Sequence, residues 1–397
     1  MALRLAERAG LIAPSATIAM GTEAKKLKAQ GIDVLDFALG EPDFPTPEHI
    51  QEAARKAMRE GKTHYTPPAG VPELRAAIAA DYTARGLATK AEEVVVSNGA
   101  KHAIHNALMA VCQPGDEVII PAPYWVSYAD LVKLAGAEPI VIETTEDEGY
   151  KLSPAKFRAA RTPRTRLLMI NSPSNPTGAV YTRSELEALA DAVLETPEVG
   201  VLSDEIYEQL CYDGAEPTVF GTLRPGLADR TITVSGVSKT YAMTGWRIGW
   251  SVAPGTVSKF ITDLQSQETS NPGSVSQYAA LEAITGPQDS VRAMHAEFAK
   301  RRAFVLEQVR TLPEVTCTPA PGGAFYAFMN VSRHFGRTLA GEPVVDSTSF
   351  CMTALRKAHV ALVMGSAFGA EGYARMSFAT DMATIERGFE ALRTFLS

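Results

Sequence analysis

At 397 residues, with 46% hydrophobic and 21% charged residues, the sequence has the composition of a globular protein rather than a disordered or fibrous one. Single cores stop growing beyond roughly 250 to 300 residues, so two domains are expected. A net charge of -7 with no basic run argues against a nucleic-acid partner, which needs clustered Lys and Arg to neutralise phosphates. No stretch approaches the roughly 20 apolar residues of a membrane span, and the first 20 residues lack an apolar core with a small-residue cleavage site, so no membrane partner and a cytoplasmic location are expected.

Along the chain, residues 46–60 read as a helix, with Thr46 as a cap, Pro47 at the first helical position, Glu48 in the first turn and Gly61 just past the end. Pro72 opens a second helix in the same way. From there short apolar runs alternate with amphipathic stretches: EVVVS (93–97), EVII (117–120), PIVIE (139–143), RLLMI (166–170), VGVLSD (199–204) and TITVS (231–235). Continuous apolar strands separated by helices predict an α/β protein with a mainly parallel sheet covered on both faces. In such a sheet, ligands bind beyond the C-terminal ends of the strands. After about residue 255 the strand rhythm stops, helical stretches run to roughly residue 312, and a different mixture of strands and helices closes the chain. No internal repeat or low-complexity linker marks the boundary, so this change of rhythm places it.

Several segments fall at the C-terminal ends of the predicted strands. In SNGAKHAI (97–104), Asn98 and Gly99 make a turn before a helix that starts near Ala100, leaving free N–H groups and a positive dipole end suited to a phosphate. PAPYWVSY (121–128) puts Trp125 just after a strand, able to stack on a flat heterocycle or to serve as a core tryptophan. NSPSNPTG (171–178) imposes an irregular turn that presents the amide of Asn175. In SDEIY (203–207), Asp204 ends a strand, where from position alone a helix cap is the commoner role. SGVSKTYAMTGWRIGW (235–250) carries Lys239 after a strand and Arg247 eight residues on, and matches neither a P-loop nor an esterase elbow.

In this order, these five segments resemble the aspartate aminotransferase family of fold type I pyridoxal-phosphate enzymes, within it the bacterial subgroup that includes plant plastid enzymes acting on aspartate and prephenate. The resemblance runs from PSATIAM (14–20) to the C-terminus. It implies a large domain over 46–312 with a mainly parallel seven-stranded sheet between helices, and a smaller α+β domain formed by 313–397 together with part of 1–45, which also supplies an N-terminal arm.

The resemblance further implies an aminotransferase that moves an amino group between L-aspartate, or a related amino acid, and 2-oxoglutarate in a ping-pong cycle, with prephenate as a further substrate. Lys239 would bind pyridoxal 5'-phosphate as an imine and then move the proton; Asp204 would pair with the pyridine nitrogen; Tyr207 and Asn175 would hydrogen-bond the ring oxygen; Trp125 would stack on the ring. Amides near Gly99, Ala100 and Lys101, with Arg247, would hold the phosphate, and Tyr65 would reach it from the neighbouring subunit of a homodimer. Arg375 would grip the substrate α-carboxylate with Asn175, Trp125 and the backbone of Gly40, while Lys101 and Thr17 match positions linked to prephenate use, Lys101 as the contact to the distal carboxylate. Ser235 stands where close relatives carry asparagine, and Gly236 where some subgroups place a phosphate-binding serine.

Other features have plainer readings. His102 and His105, one helical turn apart, lack a third ligand, so no metal is expected. Ser153 in SPAK reads as a helix cap, and Cys112, Cys211, Cys317 and Cys351, with no C-x-x-C, read as buried free thiols. Two rival functions stay open from the residues: a fold-related lyase acting at Cβ with the same lysine and aspartate, and a non-enzymatic binding module of this fold.

Overall fold

The computed structural model describes residues 3–12 and 16–397 of the chain. The side chain of Thr17 lies outside the described residues. A seven-stranded sheet forms the centre, from β1 (Val94–Ser97), β2 (Glu117–Ala122), β3 (Glu138–Glu143), β4 (Thr165–Asn171), β5 (Gly200–Asp204), β6 (Thr231–Gly236) and β7 (Gly249–Val252). The spatial order is β1-β7-β6-β5-β4-β2-β3, and only β7 runs against its two neighbours. The inner strands β6 and β7 are buried along their whole length because both faces are covered; the edge strand β3 is the half-exposed one.

The antiparallel strand β7 was not among the apolar runs read from the sequence, since its four residues GWSV follow a glycine-rich turn with no spacing of their own. Its direction has a consequence for the site. Because it starts where the others end, Gly249 pairs with both Ser97 and Gly236, so the turn after β1, the lysine segment after β6 and the start of β7 share one edge. The approach is close enough to require glycine. A Cβ on Gly236 would meet the Gly249 Cα at 2.8 Å, and one on Gly249 would collide with the Ala100 amide.

Several local expectations are met. Ser153 caps its helix by accepting from the Lys156 amide at 3.2 Å, Pro72 opens the helix Pro72–Ala84, and a helix spans Ala100–Val111. Thr46 does not cap: Pro47 takes the N-cap position of the helix Glu48–Arg59 without a side-chain bond, and the Thr46 hydroxyl instead donates to the Ala242 carbonyl and accepts from the Trp246 indole. Nor does Asp204 cap a helix; its Oδ1 accepts from the Ile206 amide in a local turn. Of the four free cysteines only Cys351 is buried; the other three are half-buried. No helix among the described residues is long and apolar enough to cross a membrane.

The helices Gly255–Glu268, Ser274–Thr285 and Asp289–Val309 follow β7. A three-stranded antiparallel sheet then forms from β8 (Tyr326–Asn330), β9 (Val363–Met364) and β10 (Tyr373–Ser377), in the order β9-β10-β8. Leu35–Asp36 pairs in parallel with Val360–Ala361, and the Phe37 carbonyl accepts from the Ser377 amide, so the segment before residue 40 is held by the C-terminal part of the chain. Phe37 is fully buried in a cluster that also contains Phe298, Phe328, Phe350 and Phe389. The helix Met382–Leu396 crosses directly over Phe37 at Gly388, where a Cβ would run into the ring. Gly388→Val is therefore expected to destabilise the protein by about 2 kcal/mol through overpacking, read from denaturant unfolding, whereas a surface change such as Lys56→Ala stays within about 0.5 kcal/mol.

Candidate active site

The site gathers along the shared sheet edge. Gly99 has φ 85°, a left-handed conformation suited to glycine, and its missing side chain leaves the space that the Arg247 guanidinium fills. Arg247 itself has φ 55°, which for a residue with a side chain costs about 1 to 3 kcal/mol. Its Nη1 donates to the Thr244 carbonyl at 2.8 Å. The guanidinium thus lies against the N-terminus of the helix Ala100–Val111, whose first amides have no intrahelical acceptor. A cation beside such a dipole end makes a corner for a phosphate or another anion.

The next position along the edge is acidic. Asp204 is 4% exposed, its Oδ2 accepts from the Tyr128 hydroxyl at 2.5 Å, and burial pushes its carboxyl up to about 6 despite that bond, the Ile206 amide and the positive Lys239. Trp125, one turn before, packs edge-on to Tyr128 at 5.4 Å, and the Lys101 ammonium lies 4.9 Å from the Trp125 ring centroid. Burial and the neighbouring Arg247 both lower the Lys101 pKa.

Lys239 follows β6 and is half-buried, its Nζ donating to the Gly40 carbonyl at 2.6 Å. Burial pulls the amine down to about 8; Glu41 and Asp204 oppose the shift, while Arg247 and Arg375 add to it. An amine so placed is neutral in a useful fraction near pH 8, which an exposed lysine is not.

Arg375, at 2% exposure, completes the set. Its Nη1 donates to Asn175 Oδ1 at 2.9 Å, its Nη2 to the Ala38 carbonyl at 2.6 Å, and its plane lies over the Tyr326 ring at 4.4 Å and the Phe368 ring at 5.0 Å. Its Nε has no hydrogen-bond partner among the described residues. Asn175 is positioned in turn by its amide, which donates to Asn171 Oδ1 at 2.8 Å, while Asn171 Nδ2 donates to the Asp204 carbonyl at 2.9 Å. The Tyr207 and Tyr326 hydroxyls are 2.8 Å apart.

One cavity of about 270 Å³ is lined by Gly40, Ala100, Lys101, Trp125, Asn175, Asp204, Tyr207, Lys239, Arg247 and Arg375, so the structure brings together every site residue read from the sequence except Gly99, Tyr65 and Thr17, whose side chain lies outside the described residues. Gly99 lies beneath the Arg247 guanidinium rather than on the cavity wall, and Tyr65 is 90% exposed and away from it. Tyr128, Asn171, Ser238 and Tyr326 contribute to the site without having been singled out. Three of these four sit inside the quoted motifs, where their neighbours carried the signal. Tyr326 lies in GGAFYAF, outside all of them. Ser235 is turned away, toward the Glu205 carbonyl and Glu208, and His102 and His105 both face Glu268, at 3.3 and 3.6 Å.

The raised Asp204 carboxyl makes a testable contribution to stability. Its folded pKa lies above the unfolded one, so the ionised form burdens the fold above about pH 6 and not below about pH 4. In cofactor-free protein, the stability of Asp204→Asn relative to wild type is expected to rise by about 2 kcal/mol between pH 4 and 7 in denaturant unfolding, and a flat difference would contradict the burial argument.

Comparison with known proteins agrees with this geometry. Residues 32–392 match the family described as Aminotransferase class I and II. The chain is 43% identical over 393 residues to the aspartate/prephenate aminotransferase of Cereibacter sphaeroides, covering 98% of each chain, and 45% identical over 395 residues to the aspartate aminotransferase of Geobacillus stearothermophilus, covering 99% of each. Its fold superposes on the aspartate aminotransferase of Rhizobium meliloti with a TM-score of 0.96 at 40% identity, over 100% of this chain and 99% of that one. A Thermus thermophilus aspartate aminotransferase solved with maleate gives 0.92 at 40% identity, with both chains fully covered. The protein belongs to the class I and II aminotransferase family and is an enzyme of the fold type I architecture.

Proposed function

We propose that the chain transfers the α-amino group of L-aspartate to 2-oxoglutarate in a ping-pong cycle with pyridoxal 5'-phosphate as its cofactor. The observation that carries the reading is a half-buried lysine with a depressed pKa in the same cavity as a buried carboxylate, an anion corner and a buried arginine. The residues fit the cofactor: the glycine at 99 lets the Arg247 guanidinium lie beside the first amides of the helix Ala100–Val111, and the donor set offers a cationic corner for a phosphate and a carboxylate for a ring nitrogen. When bound, the cofactor supplies an electron sink conjugated to the substrate Cα.

In this reading the amides near Gly99, Ala100 and Lys101, with Arg247, hold the phosphate, Asp204 keeps the ring nitrogen protonated, Trp125 covers one ring face, and Asn175 and Tyr207 donate to the ring oxygen. Arg375 receives the substrate α-carboxylate, assisted by Asn175 and the Gly40 backbone; its free Nε is the donor suited to that second partner. Lys239 attaches the cofactor and then moves the proton at the substrate Cα, which requires an amine neutral near working pH. By fixing the substrate carboxylate, Arg375 would decide which Cα bond faces the electron sink that the cofactor would supply, and so would favour proton loss over decarboxylation. Lys101 reads the distal carboxylate. Prephenate as a second partner is supported by the name of the Cereibacter sphaeroides relative.

We further propose a cytoplasmic homodimer in which the exposed Tyr65 of one copy reaches the phosphate of the other. For the two units, expected as 46–312 and the rest, we propose that the helix Asp289–Val309 belongs to the smaller one, because it shares the buried cluster of the C-terminal elements through Met294, Phe298 and Val305. The family and the relatives do not favour a Cβ lyase or a non-enzymatic module.

Three outcomes are expected. Protein incubated with pyridoxal phosphate gains a visible absorbance band that aspartate abolishes and 2-oxoglutarate restores; release of pyruvate and ammonia without an acceptor would instead indicate the lyase. The rate of band formation rises with pH through a midpoint near 8, set by Lys239, and Lys239→Ala forms no band. Lys101→Ala raises KM for aspartate by about five- to tenfold, as loss of a charge-assisted contact predicts, and unchanged kinetics with aspartate and prephenate would remove its assignment.

A further inference from the structure

The Tyr326 hydroxyl lies 2.8 Å from that of Tyr207, and its ring lies 4.4 Å from the Arg375 guanidinium. It is the first residue of β8, paired in register with Ser377, and is 1% exposed. A Cβ on Gly40 would collide with its hydroxyl, so the strap carrying the carbonyl that faces Lys239 is shaped around it. One side chain therefore touches the arginine assigned to the substrate carboxylate, the tyrosine assigned to the ring oxygen, and the strap over the lysine.

We infer that Tyr326 is a positioning residue that relays the pairing of the Arg375 charge with a carboxylate to the ring-oxygen donor Tyr207 through its hydroxyl. The inference rests on the pyridoxal-phosphate reading above. Two hydroxyls in contact share one hydrogen bond, which leaves one O–H for a third partner. If Tyr207 donates to a ring oxygen, the Tyr326 hydroxyl must donate to Tyr207, and two donors in series polarise one another so that Tyr207 binds an ionised oxygen more strongly. Burial raises the Tyr326 hydroxyl above its ordinary pKa; the Arg375 charge over the ring opposes that rise and so strengthens the series, whereas a carboxylate paired with Arg375 offsets that charge and relaxes it. The other charged groups around the pair are Asp204, at the end of β5, and Lys239 after β6 with Glu41 beside it. None of these touches the Tyr326 hydroxyl in place of Tyr207. Substrate binding at the arginine is thereby felt at the cofactor ring through the contact between β8 and the turn that follows β5, beside the direct Arg375–Asn175 bond.

The test uses full-length protein loaded with pyridoxal phosphate and follows its visible absorbance against pH, without substrate and then with saturating succinate, which cannot react. Tyr326→Phe keeps the ring under Arg375 and removes the hydroxyl alone. Its midpoint is expected about half a pH unit above wild type, because a weakened donor series no longer favours the ionised ring oxygen as strongly, and the upward movement caused by succinate is expected to shrink. KM for aspartate stays within about threefold in Tyr326→Phe and rises about tenfold in Tyr326→Leu, which also removes the face that supports the guanidinium. In Tyr207→Phe the series is already broken, so adding Tyr326→Phe moves the midpoint no further; independent, additive shifts would overturn the relay. A Tyr326→Phe midpoint equal to wild type overturns it as well. A wild type with no visible band removes the cofactor reading and this inference together, which separates the two failures.

Discussion

A guanidinium at 2% exposure is the constraint around which the active site is arranged. Burying an arginine without partners would cost many kcal/mol, so the surroundings have to supply acceptors and polarisable faces. Here they come from four places far apart in the chain: the Ala38 carbonyl, the Asn175 amide oxygen, and the rings of Tyr326 and Phe368. The strap before residue 40 has to be pinned by Val360–Ala361 and Ser377 for Ala38 to be there, and the 171–178 turn has to fold back for Asn175 to be there. Satisfying this one cation therefore ties the small antiparallel sheet to the edge of the large one.

The same reasoning explains the polar chain through Asn171. Its side chain accepts from the Asn175 amide and donates to the Asp204 carbonyl, so the turn that holds Arg375 and the strand that ends in Asp204 are registered to each other by one residue. Pairing of Asn171 with Asp204 across β4 and β5 puts the two at equal height on the sheet edge. Below that edge the acidic run continues away from the cavity. Glu205 and Glu208 share Arg85, at 3.4 and 2.6 Å, and Ser203 donates to Glu205, so Asp204 faces the cavity while the two glutamates after it face Arg85. Burial and the neighbouring Glu208 hold the Glu205 carboxyl above the usual carboxylate range even against that arginine.

Much of this was legible in the sequence because the signals were local. Six apolar runs became strands, all but the edge strand β3 mostly buried, and the glycine between the first strand and its helix was needed for a left-handed turn, as the motif SNGAK suggested. Lys239, Asp204, Asn175, Arg247 and Arg375 stood out through motifs whose order resembled a known family. What was not legible depends on contacts between distant segments. Strand β7 is too short and too close to its glycines to declare a period, yet its reversed direction is what brings Arg247 to Gly99. Thr46 has the chemistry of a cap, but Trp246, 200 residues on, takes its hydroxyl as an acceptor. Tyr326 lies in a run of aromatic and apolar residues that reads as core; its hydroxyl matters only because Tyr207, 119 residues earlier, comes within hydrogen-bond distance.

Burial acts on Lys239 and Asp204 in opposite directions, and this opposition is useful. The low-dielectric site moves the amine down to about 8 and the carboxyl up to about 6, so the interval in which both are charged is far narrower than in water. Each also shifts the other back toward its charged form, since the positive amine lowers the carboxyl and the carboxylate raises the amine. A ligand with a cationic ring nitrogen and an anionic phosphate offers Asp204 and the Arg247 corner the opposite charges they lack. Such a ligand stabilises the carboxylate by pairing it and relieves the Arg247 charge that depresses the lysine. In the proposed reading, the positive corner near Gly99 and the carboxylate of Asp204 would orient such a dipolar ring, and the Lys239 amine would remain as the group that moves the proton.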